Sequence, residues 1–343
     1  MKAAILVKQN SPLVVTDIEI PPLDVGQVLV KVEYSGICGK QLEELSGRRG
    51  PDPFLPHLLG HEGAGIVEKV GPGVKKVAPG DHVVLHWMKG SGIDSSPPRF
   101  NLQGKVVSAG WVTTFSERTI VSENRITQID PGIPLDVASL MGCAVTTGLG
   151  IVFNDAALKP GQSIAIFGVG GIGLNVIQGA GLVNAHPIVA IDIHDSKLEE
   201  ASSFGATHTF NSKNRDANKF LLEISGGNGF DVIVDVTGNA AVRQVAYDST
   251  SNTGITIFAG VPGYKDRISI DSFPLHFGRR LKGSHGGDTW PDMDIPKYLQ
   301  LYKLGKLKLD EQISHRYPLA KINDAFDIAK KGQASRCLIT ILG

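Results

Sequence analysis

One short stretch limits the possible folds more than any other feature of the chain. Residues 163–167 read SIAIF, an apolar run typical of a buried strand, and residues 168–173 read GVGGIG at the start of a helical pattern. In a strand–turn–helix unit, this G-x-G-x-x-G spacing lets the backbone approach a pyrophosphate, which the free N–H groups of the helix N-terminus then bind. The sequence therefore predicts a dinucleotide-binding unit, with cofactor contacts at Gly168, Gly170, Gly171 and Gly173.

A carboxylate follows at the spacing expected for recognition of the ribose. Asp192 closes the next predicted strand, residues 188–191, about 20 residues beyond the last glycine. Such a carboxylate accepts hydrogen bonds from ribose hydroxyls and repels a 2′-phosphate, so it favours NAD over NADP. His194 and Lys197 follow closely and could weaken that preference.

The distribution of glycine and proline divides the chain into two kinds of sequence. From residue 2 to about 122, short β-branched runs alternate with turn signals such as PP, GPG and PGD, which predicts a barrel-like β unit. Beyond about residue 146, strands and helices alternate, which predicts βαβ units and a parallel sheet covered on both faces. The last part contains two predicted helices, 295–304 and 322–331, and a final strand at 336–341.

Composition and charge exclude several classes of protein. The 343 residues are 42% hydrophobic and 20% charged, which suits roughly two folded domains. Lys plus Arg and Asp plus Glu number 34 each, so no excess charge points to nucleic acid or to an anionic membrane. No apolar stretch reaches the ~18–20 residues of a membrane span, and residues 8–10 are polar, so we expect a cytoplasmic protein with a small-molecule partner.

The cysteines have wide spacings and an odd number. Cys38, Cys143 and Cys337 do not suggest a disulfide framework, which leaves metal ligation, catalysis or simple burial as free thiols. Two thiolates and one imidazole would suit a catalytic zinc with an open fourth position. His61, in the sequence GHEG at 60–63, is a candidate for the imidazole, although the spacing alone does not identify a site.

Together these motifs resemble the zinc-dependent medium-chain dehydrogenase/reductase family, the alcohol dehydrogenase-like proteins. The resemblance is carried by GICG at 36–39, GHEGAG at 60–65, PGDHV at 79–83, TTG at 146–148 and the glycine run. It implies an α/β Rossmann fold, a doubly wound parallel sheet, joined to a GroES-like β-barrel catalytic domain. The implied boundaries are 1–145 for the catalytic domain, 146–285 for the NAD-binding domain and 286–343 for a return to the catalytic domain.

The resemblance also implies roles for single residues. Cys38, His61 and Cys143 match the ligands of one catalytic zinc. Glu62 matches a carboxylate that lies behind the metal and can exchange with water as a ligand. Trp87 matches an aromatic position beside the substrate, with core packing as the alternative. Further cofactor contacts are implied. The nicotinamide pocket would be lined by Thr147, Ile172 and Val261. Lys197 would contact the adenosine ribose, and Arg336 would lie near the pyrophosphate.

Two departures from the family pattern stand out. No cysteine lies between Cys38 and Cys143, so the second, structural zinc of many relatives is expected to be absent, and the loop 88–104 to be held by packing alone. The positions that usually carry a proton-relay hydroxyl and a histidine-orienting Asp hold Lys40 and Gln41, followed by Glu43. The usual proton relay therefore cannot be transferred to this chain.

Lys40 has three interpretations. A neutral amine beside a divalent metal could take the alcohol proton, with Glu43 as the next relay group. A charged Lys40 could instead hold an anionic or polyhydroxylated substrate, with Glu43 as its counter-charge. Its side chain could also simply face solvent. If both residues face the cleft, a sugar, cyclitol or amino alcohol is favoured over a simple aliphatic alcohol.

These observations predict an NAD-dependent zinc dehydrogenase that oxidises a primary or secondary alcohol, with polyol, sugar or cyclitol types favoured, by hydride transfer to nicotinamide. Binding of the cofactor is expected to close the cleft. One alternative is a zinc-free quinone or enoyl reductase, which the cysteine and GHE motifs contradict. The other is a non-catalytic dinucleotide-binding protein, which only the altered segment 40–43 supports.

The substrate is expected to be a small alcohol or ketone, and the assembly a homodimer or homotetramer. In the family, subunits pair through an edge strand of the Rossmann sheet. Residues 254–258 together with 267–270 are the predicted edge. Pairing by a twofold axis is also the commonest arrangement among oligomers.

Overall fold

The first part of the chain forms short strands where β-branched residues alternate with turns. A computed structural model describes residues 1–48, 50–332 and 334–341. Its first compact unit comprises residues 1–144 and the described residues from 290 onward, and its second comprises residues 145–289. The strands and helices before residue 144 are β1 Lys2–Leu6, β2 Val14–Asp17, β3 Gln27–Gly36, α1 Gly39–Ser46, β4 His57–Leu58, β5 Glu62–Val70, β6 His82–His86, β7 Arg99–Leu102, β8 Lys105–Ser108, β9 Arg118–Ser122, β10 Ile126–Gln128 and α2 Leu135–Ser139.

The second unit alternates strands and helices, as the sequence predicts. Its strands pair in parallel in the order β13-β12-β11-β14-β15-β16. This is the predicted doubly wound sheet. Its elements are α3 Ala144–Gly150, β11 Ile164–Phe167, α4 Gly171–Leu182, β12 Ile188–Asp192, α5 Asp195–Ser203, β13 His208–Asn211, α6 Ala217–Ile224, β14 Phe230–Asp235, α7 Ala240–Asp248, β15 Thr250–Phe258, α8 Phe273–His276 and β16 Arg280–Gly283.

The central strand β11 shows why a parallel sheet gives an unbroken apolar run. Ile164 and Ile166 belong to one buried cluster, whereas Ala165 and Phe167 belong to another. Successive side chains of a strand point to opposite faces of the sheet, and both faces are covered here. The run SIAIF is therefore apolar throughout because neither face of this strand meets water.

The chain then returns to the first unit through α9 Pro291–Lys303, β17 Ile313–Pro318, α10 Ile322–Lys330 and β18 Arg336–Thr340. Strand β18 pairs antiparallel with β3, and Leu338 lies opposite Gly36. The first unit therefore has a sheet in the order β10-β6-β5-β3-β18-β17, with β9 also on β3, and a second sheet in the order β2-β1-β4-β8-β7. A core that includes Phe115 edge-on to Phe326 fills this unit.

The loop 88–104 is held by hydrogen bonds, so the expectation of packing alone is wrong. The backbone N–H of Ile93 donates to Glu123 Oε2 at 2.9 Å, and that of Ser95 donates to Ser122 Oγ at 2.7 Å. Ser91 donates twice to Asp292 Oδ2, at 2.6 Å from both its backbone nitrogen and its hydroxyl. Backbone donors removed from water need acceptors, and side chains supply them where no strand does.

The predicted edge of the Rossmann sheet also needs correction. Residues 267–270 form no strand. Instead β16 pairs with β15, with Ile255 opposite Arg280, and is the outer strand of that sheet. The sequence of β16, RLKG, is short and half charged, so it carries little strand signal of its own. Pairing with a neighbour decides its conformation.

Within the described ranges, no single helix is both long and apolar enough to cross a membrane. One bent pair of successive helical stretches, Leu135–Gly142 and Ala144–Asp155, reaches the required length and composition only when taken together.

Replacement of Glu123 by alanine tests the hydrogen bonds that hold the loop. Glu123 also accepts from the backbone N–H groups of Lys75 and Lys76, at 2.6 and 2.7 Å, so Glu123→Ala leaves three partly buried backbone donors without this acceptor. Hydrogen bonds to a charged group are each worth about 1.5–3 kcal/mol, and we expect an overall loss of about 3 kcal/mol in the free energy of unfolding. Urea denaturation measures this loss.

The matched control is Glu311→Ala, because Glu311 is an exposed glutamate of the same unit. Its substitution should change the free energy of unfolding by less than about 0.5 kcal/mol. Equal effects of the two substitutions would show that Glu123 does not anchor the loop.

Candidate functional site

The ends of two neighbouring strands bring two of the predicted metal ligands together. Cys38 follows β3 by two residues and is the N-cap of α1, and His61 directly precedes β5. Strands β3 and β5 pair antiparallel with Ser35 opposite Gly63, so the residues beyond these positions share one end of the sheet. The ligand atoms of Cys38, His61 and Cys143 all lie within 4.8 Å of one another.

Cys143 reaches the cluster because a glycine precedes it. Gly142 ends a 3₁₀ turn, and a Cβ atom on Gly142 would lie 2.4 Å from Leu85 O and 2.7 Å from Glu62 Cα. No residue with a side chain fits at that distance. The close approach of the turn to β5 and β6 therefore depends on glycine and positions the third ligand.

The donor set matches a zinc ion in kind and in charge. Cys143 and His61 are buried, and Cys38 is half-buried. A hydrogen bond from Cys143 lowers the pKa of the Cys38 thiol well below its usual range, with a further contribution from a hydrogen bond with His61. The same sulfur–sulfur hydrogen bond, together with burial, raises the pKa of Cys143. Two thiolates and one neutral imidazole would balance the charge of a Zn²⁺ ion and leave one position open for catalysis.

A buried ion pair lies beside the cluster. Glu62 follows His61 in the chain and is fully buried, and its Oε1 accepts from Nη2 of Arg336, which is also buried. Burial raises the pKa of Glu62, whereas the charge of Arg336 acts in the opposite direction. The other carboxylate oxygen, Oε2, has no hydrogen-bond partner. A Cβ on Gly36 would lie 2.5 Å from Glu62 Oε1, so a side chain at this position would displace the Glu62 carboxylate.

This ion pair changes the interpretation of Arg336. The resemblance implied a contact with the cofactor pyrophosphate, but the structure places Arg336 in β18 of the first unit, against Glu62. The guanidinium neutralises the carboxylate that adjoins a metal ligand. Its contact with a pyrophosphate stays a prediction.

Gln41 occupies the position where relatives usually carry a histidine-orienting Asp, and the structure places it within the cluster. Its side chain is 1% exposed. Gln41 Oε1 accepts from the backbone N–H of Cys38 at 2.9 Å, and Gln41 Nε2 lies 2.5 Å from His61 Nδ1. The sequence did contain a signal for the contact with Cys38, because a glutamine three residues after the N-cap can complete a capping box. With cysteine as the N-cap, the pattern C-G-K-Q does not look like one.

The structure places Lys40 and Glu43 on α1 next to this cluster. The Lys40 side chain is 46% exposed, and its Nζ lies 3.4 Å from Glu44 Oε1. Glu44 is therefore the counter-charge of Lys40, which corrects the expectation that Glu43 has this role. Residues four apart are neighbours on a helix surface, and solvent-exposed pairs of this kind form readily.

Trp87 directly follows β6, and His61 directly precedes β5. Strands β5 and β6 pair with Glu62 opposite His86, so both residues lie just beyond the same end of this strand pair. Trp87 is half-buried. Its place beside a substrate stays a prediction.

In the second unit, the glycine turn has the form that a dinucleotide requires. Gly168 has a φ of +92°, and a Cβ on Gly173 would lie 2.1 Å from Gly168 O. Gly170 is the N-cap of α4, and no atom lies within 4 Å of the position its Cβ would take. An open space in front of free helix N–H groups is what a pyrophosphate needs, so the turn fits this cofactor.

Asp192 supports this turn. It ends β12, and its Oδ2 accepts from the backbone N–H of Val169 at 2.8 Å, while Oδ1 accepts from Ile193 and His194. The other predicted cofactor contacts of this unit lie on several elements. Ile172 is half-buried in the first turn of α4, and Thr147 is buried in α3. Val261 is exposed after β15, and Lys197 pairs with Glu200 at 3.3 Å. Their contacts with a cofactor stay predictions.

Two protein-family models match the chain. One is described as "Alcohol dehydrogenase GroES-like domain" and matches residues 24–131, and the other is described as "Zinc-binding dehydrogenase" and matches residues 171–303. Their order agrees with the β-rich first unit and the parallel sheet of the second.

Among curated relatives, the chain is 34% identical to an alcohol dehydrogenase class-3 of Pisum sativum, over 99% of this chain and 97% of the relative. It is 32% identical to an alcohol dehydrogenase class-P of Arabidopsis thaliana, with the same coverage.

Solved structures with a similar fold include an alcohol dehydrogenase zinc-binding domain protein from Burkholderia ambifaria, with TM-score 0.91, 29% identity and coverage of 100% of this chain and 99% of that one. Another is benzyl alcohol dehydrogenase from Acinetobacter calcoaceticus, with TM-score 0.91, 28% identity and coverage of 99% of both chains. The predicted family and the predicted two-part fold are confirmed.

Substitution of Arg336 tests the ion pair beside the metal ligands. Arg336→Met leaves the buried carboxylate of Glu62 without its counter-charge, which is expected to cost about 3–5 kcal/mol in the free energy of unfolding. Urea denaturation of the purified variant measures the loss.

The comparison is Arg118→Met, because Arg118 pairs with Glu68 at 2.7 Å with its side chain 35% exposed. Breaking this half-buried surface pair should cost less than about 1 kcal/mol. If Arg336→Met were as mild as Arg118→Met, the buried pair would not be the support of the site that we describe.

Proposed function

The chain belongs to the zinc-dependent medium-chain alcohol dehydrogenase family, and on this basis we propose that it is an NAD-linked enzyme that oxidises a primary or secondary alcohol. The family acts on small alcohols and aldehydes as an oxidoreductase with zinc and NAD(H). The observation that carries the proposal is the convergence of Cys38, His61 and Cys143 within 4.8 Å. A protein that had lost the chemistry would have no reason to keep three distant ligands together.

We assign Cys38, His61 and Cys143 to hold one zinc per chain. A zinc held by these residues would supply Lewis acidity toward an alcohol hydroxyl, and a bound nicotinamide would supply the hydride acceptor. The pair of Glu62 and Arg336 keeps the charge beside the ligands balanced, and Glu62 Oε2, which has no hydrogen-bond partner, would be available as a further oxygen donor. Among the residues that the structure describes, Cys38, His61 and Cys143 form a group of side chains able to hold a metal.

The preference for NAD is supported by Asp192. Its carboxylate lies at the end of β12 beside the glycine turn, where it would accept hydrogen bonds from a ribose and oppose a 2′-phosphate. Lys197, a cation that could weaken this preference, is paired with Glu200. That pairing reduces its availability for a phosphate.

The expected preference for polyols rests on Lys40 and Glu43 facing the substrate. Lys40 is exposed and paired with Glu44, a pairing that competes with a polar substrate. Trp87, which the family resemblance places beside the substrate, favours an alcohol with an apolar or aromatic substituent. Benzyl alcohol dehydrogenase from Acinetobacter calcoaceticus, a structural neighbour, makes benzyl alcohol a reasonable first substrate.

We further propose that two chains pair through the edge of the Rossmann sheet at β16. Its outer side has no strand partner within the described chain. Phe273 and Phe277 are exposed just before it, at 68% and 61%. An unpaired edge beside exposed aromatic rings favours a twofold dimer, from which a tetramer could be built.

The zinc assignment predicts that Cys143 and Cys337 respond differently to replacement by serine. Cys143→Ser removes a ligand. It should lower the zinc content below the wild-type value of about one ion per chain, and it should lower the rate of NAD reduction with benzyl alcohol by roughly 100-fold or more. Cys337 is equally buried but lies in the core, so Cys337→Ser should retain zinc and activity. Metal analysis and a panel that includes benzyl alcohol, aliphatic alcohols and a polyol make the measurement.

A purified wild-type protein without zinc, or with zinc but no NAD reduction on any alcohol of the panel, would contradict the proposal. A preference for the polyol over benzyl alcohol would restore the polar-substrate interpretation.

Lys40→Thr tests whether the amine takes part in proton transfer. Because Lys40 is exposed and paired with Glu44, we expect kcat/KM and its dependence on pH to stay within about twofold of the wild type. A steady-state pH profile measures both. A fall of tenfold or more together with a displaced profile would instead identify Lys40 as the base.

A further inference from the structure

The amide of Gln41 lies between two groups of the metal cluster and touches both. On one side is the backbone N–H of Cys38, at 2.9 Å from Gln41 Oε1, and on the other is His61 Nδ1, at 2.5 Å from Gln41 Nε2. Gln41 and His61 are both buried, at 1% and 6% exposure. Neither contact is therefore exchanged readily for one with water.

The backbone N–H of Cys38 fixes the direction of both hydrogen bonds of the Gln41 amide. A peptide N–H can only donate, so the amide oxygen of Gln41 must face Cys38. The amide nitrogen then faces His61 and can also only donate. His61 Nδ1 must therefore accept, and a neutral imidazole in this position carries its proton on Nε2.

We propose that Gln41 is a positioning residue that holds His61 of the metal-free protein in the Nε2–H tautomer, and that its amide turns over when zinc binds. This inference rests on the zinc site of the proposed function. A metal ligated through Nε2 requires the ring proton on Nδ1 instead. That N–H would point at the amide nitrogen, so the amide must rotate by half a turn to present its oxygen.

The rotation breaks the hydrogen bond to Cys38. After it, the backbone N–H of Cys38 faces the amide NH₂, which cannot accept. A glutamine thus satisfies both neighbours only in the metal-free form, whereas a glutamate has two acceptor oxygens and could satisfy both with zinc bound. We therefore infer that glutamine at position 41 weakens zinc binding compared with glutamate.

The first experiment reads the tautomer directly. Nitrogen NMR of histidine-labelled, metal-free protein should show His61 with its proton on Nε2 in the wild type and on Nδ1 in Gln41→Glu. A wild-type His61 protonated on Nδ1 would overturn the inference. This measurement needs neither catalysis nor bound zinc.

The second experiment measures zinc affinity by competition with a chelator. Gln41→Glu should bind zinc 10- to 100-fold more tightly than the wild type, the usual range for partners of metal ligands. Gln41→Met, which keeps the volume but neither donates nor accepts, should bind at least as tightly as the wild type. If Gln41 only supported His61 for zinc binding, its replacement by methionine would weaken zinc binding. A tenfold or greater loss of zinc affinity in Gln41→Met would therefore overturn the inference.

Gln27→Glu is the matched control. Gln27 is also buried, at 3% exposure, and also bridges two backbone groups of the first unit, Asp24 N and Ser96 O. Its substitution should leave zinc affinity unchanged. Zinc bound with the expected order of affinities but no NAD reduction would contradict only the proposed function. An active zinc enzyme with Nδ1–H in its metal-free form would contradict only the present inference.

Discussion

The buried pair of Glu62 and Arg336 is the interaction on which the rest of the site depends. A carboxylate with no exposure to solvent adjoins His61, and its counter-charge comes from the last strand, 274 residues further along the chain. An unpaired charge in such a place would be strongly destabilising. The return of the chain to the first unit is therefore part of the metal site, because it brings the guanidinium that allows Glu62 to be buried behind the ligands.

The close approaches around this pair are made possible by glycine. Gly36 leaves room for Glu62 Oε1, and Gly142 lets the turn before Cys143 approach β5 and β6. Strand pairing then aligns the ligands, because Ser35 lies opposite Gly63 and both chains continue into the cluster. Polar side chains also hold the loop 88–104, where Glu123 and Asp292 accept backbone N–H groups. Charged acceptors thus hold this loop against the rest of the first unit.

Much of the fold followed from local patterns. The glycine run and the apolar run of β11 predicted the parallel sheet because phosphate binding and burial on both faces restrict residue type at each position. Predictions from local sequence patterns failed where contacts with other residues decide the conformation or the ion pair. Residues 267–270 form no strand and β16 does, since a short charged strand is defined by pairing with β15. Lys40 pairs with Glu44, not Glu43, and residue spacing on a helix permits either partner.

The sequence by itself determined the family, the order of the two folded units and the types of residue able to bind zinc and a dinucleotide, because these depend on spacing along the chain and on the chemistry of single side chains. Only the tertiary structure decided that Gln41 bridges Cys38 and His61, and that Arg336 neutralises Glu62. Hydrogen-bond direction and charge compensation are properties of groups that meet in space. Residues distant along the chain have no local signal for such meetings, so folding alone establishes them.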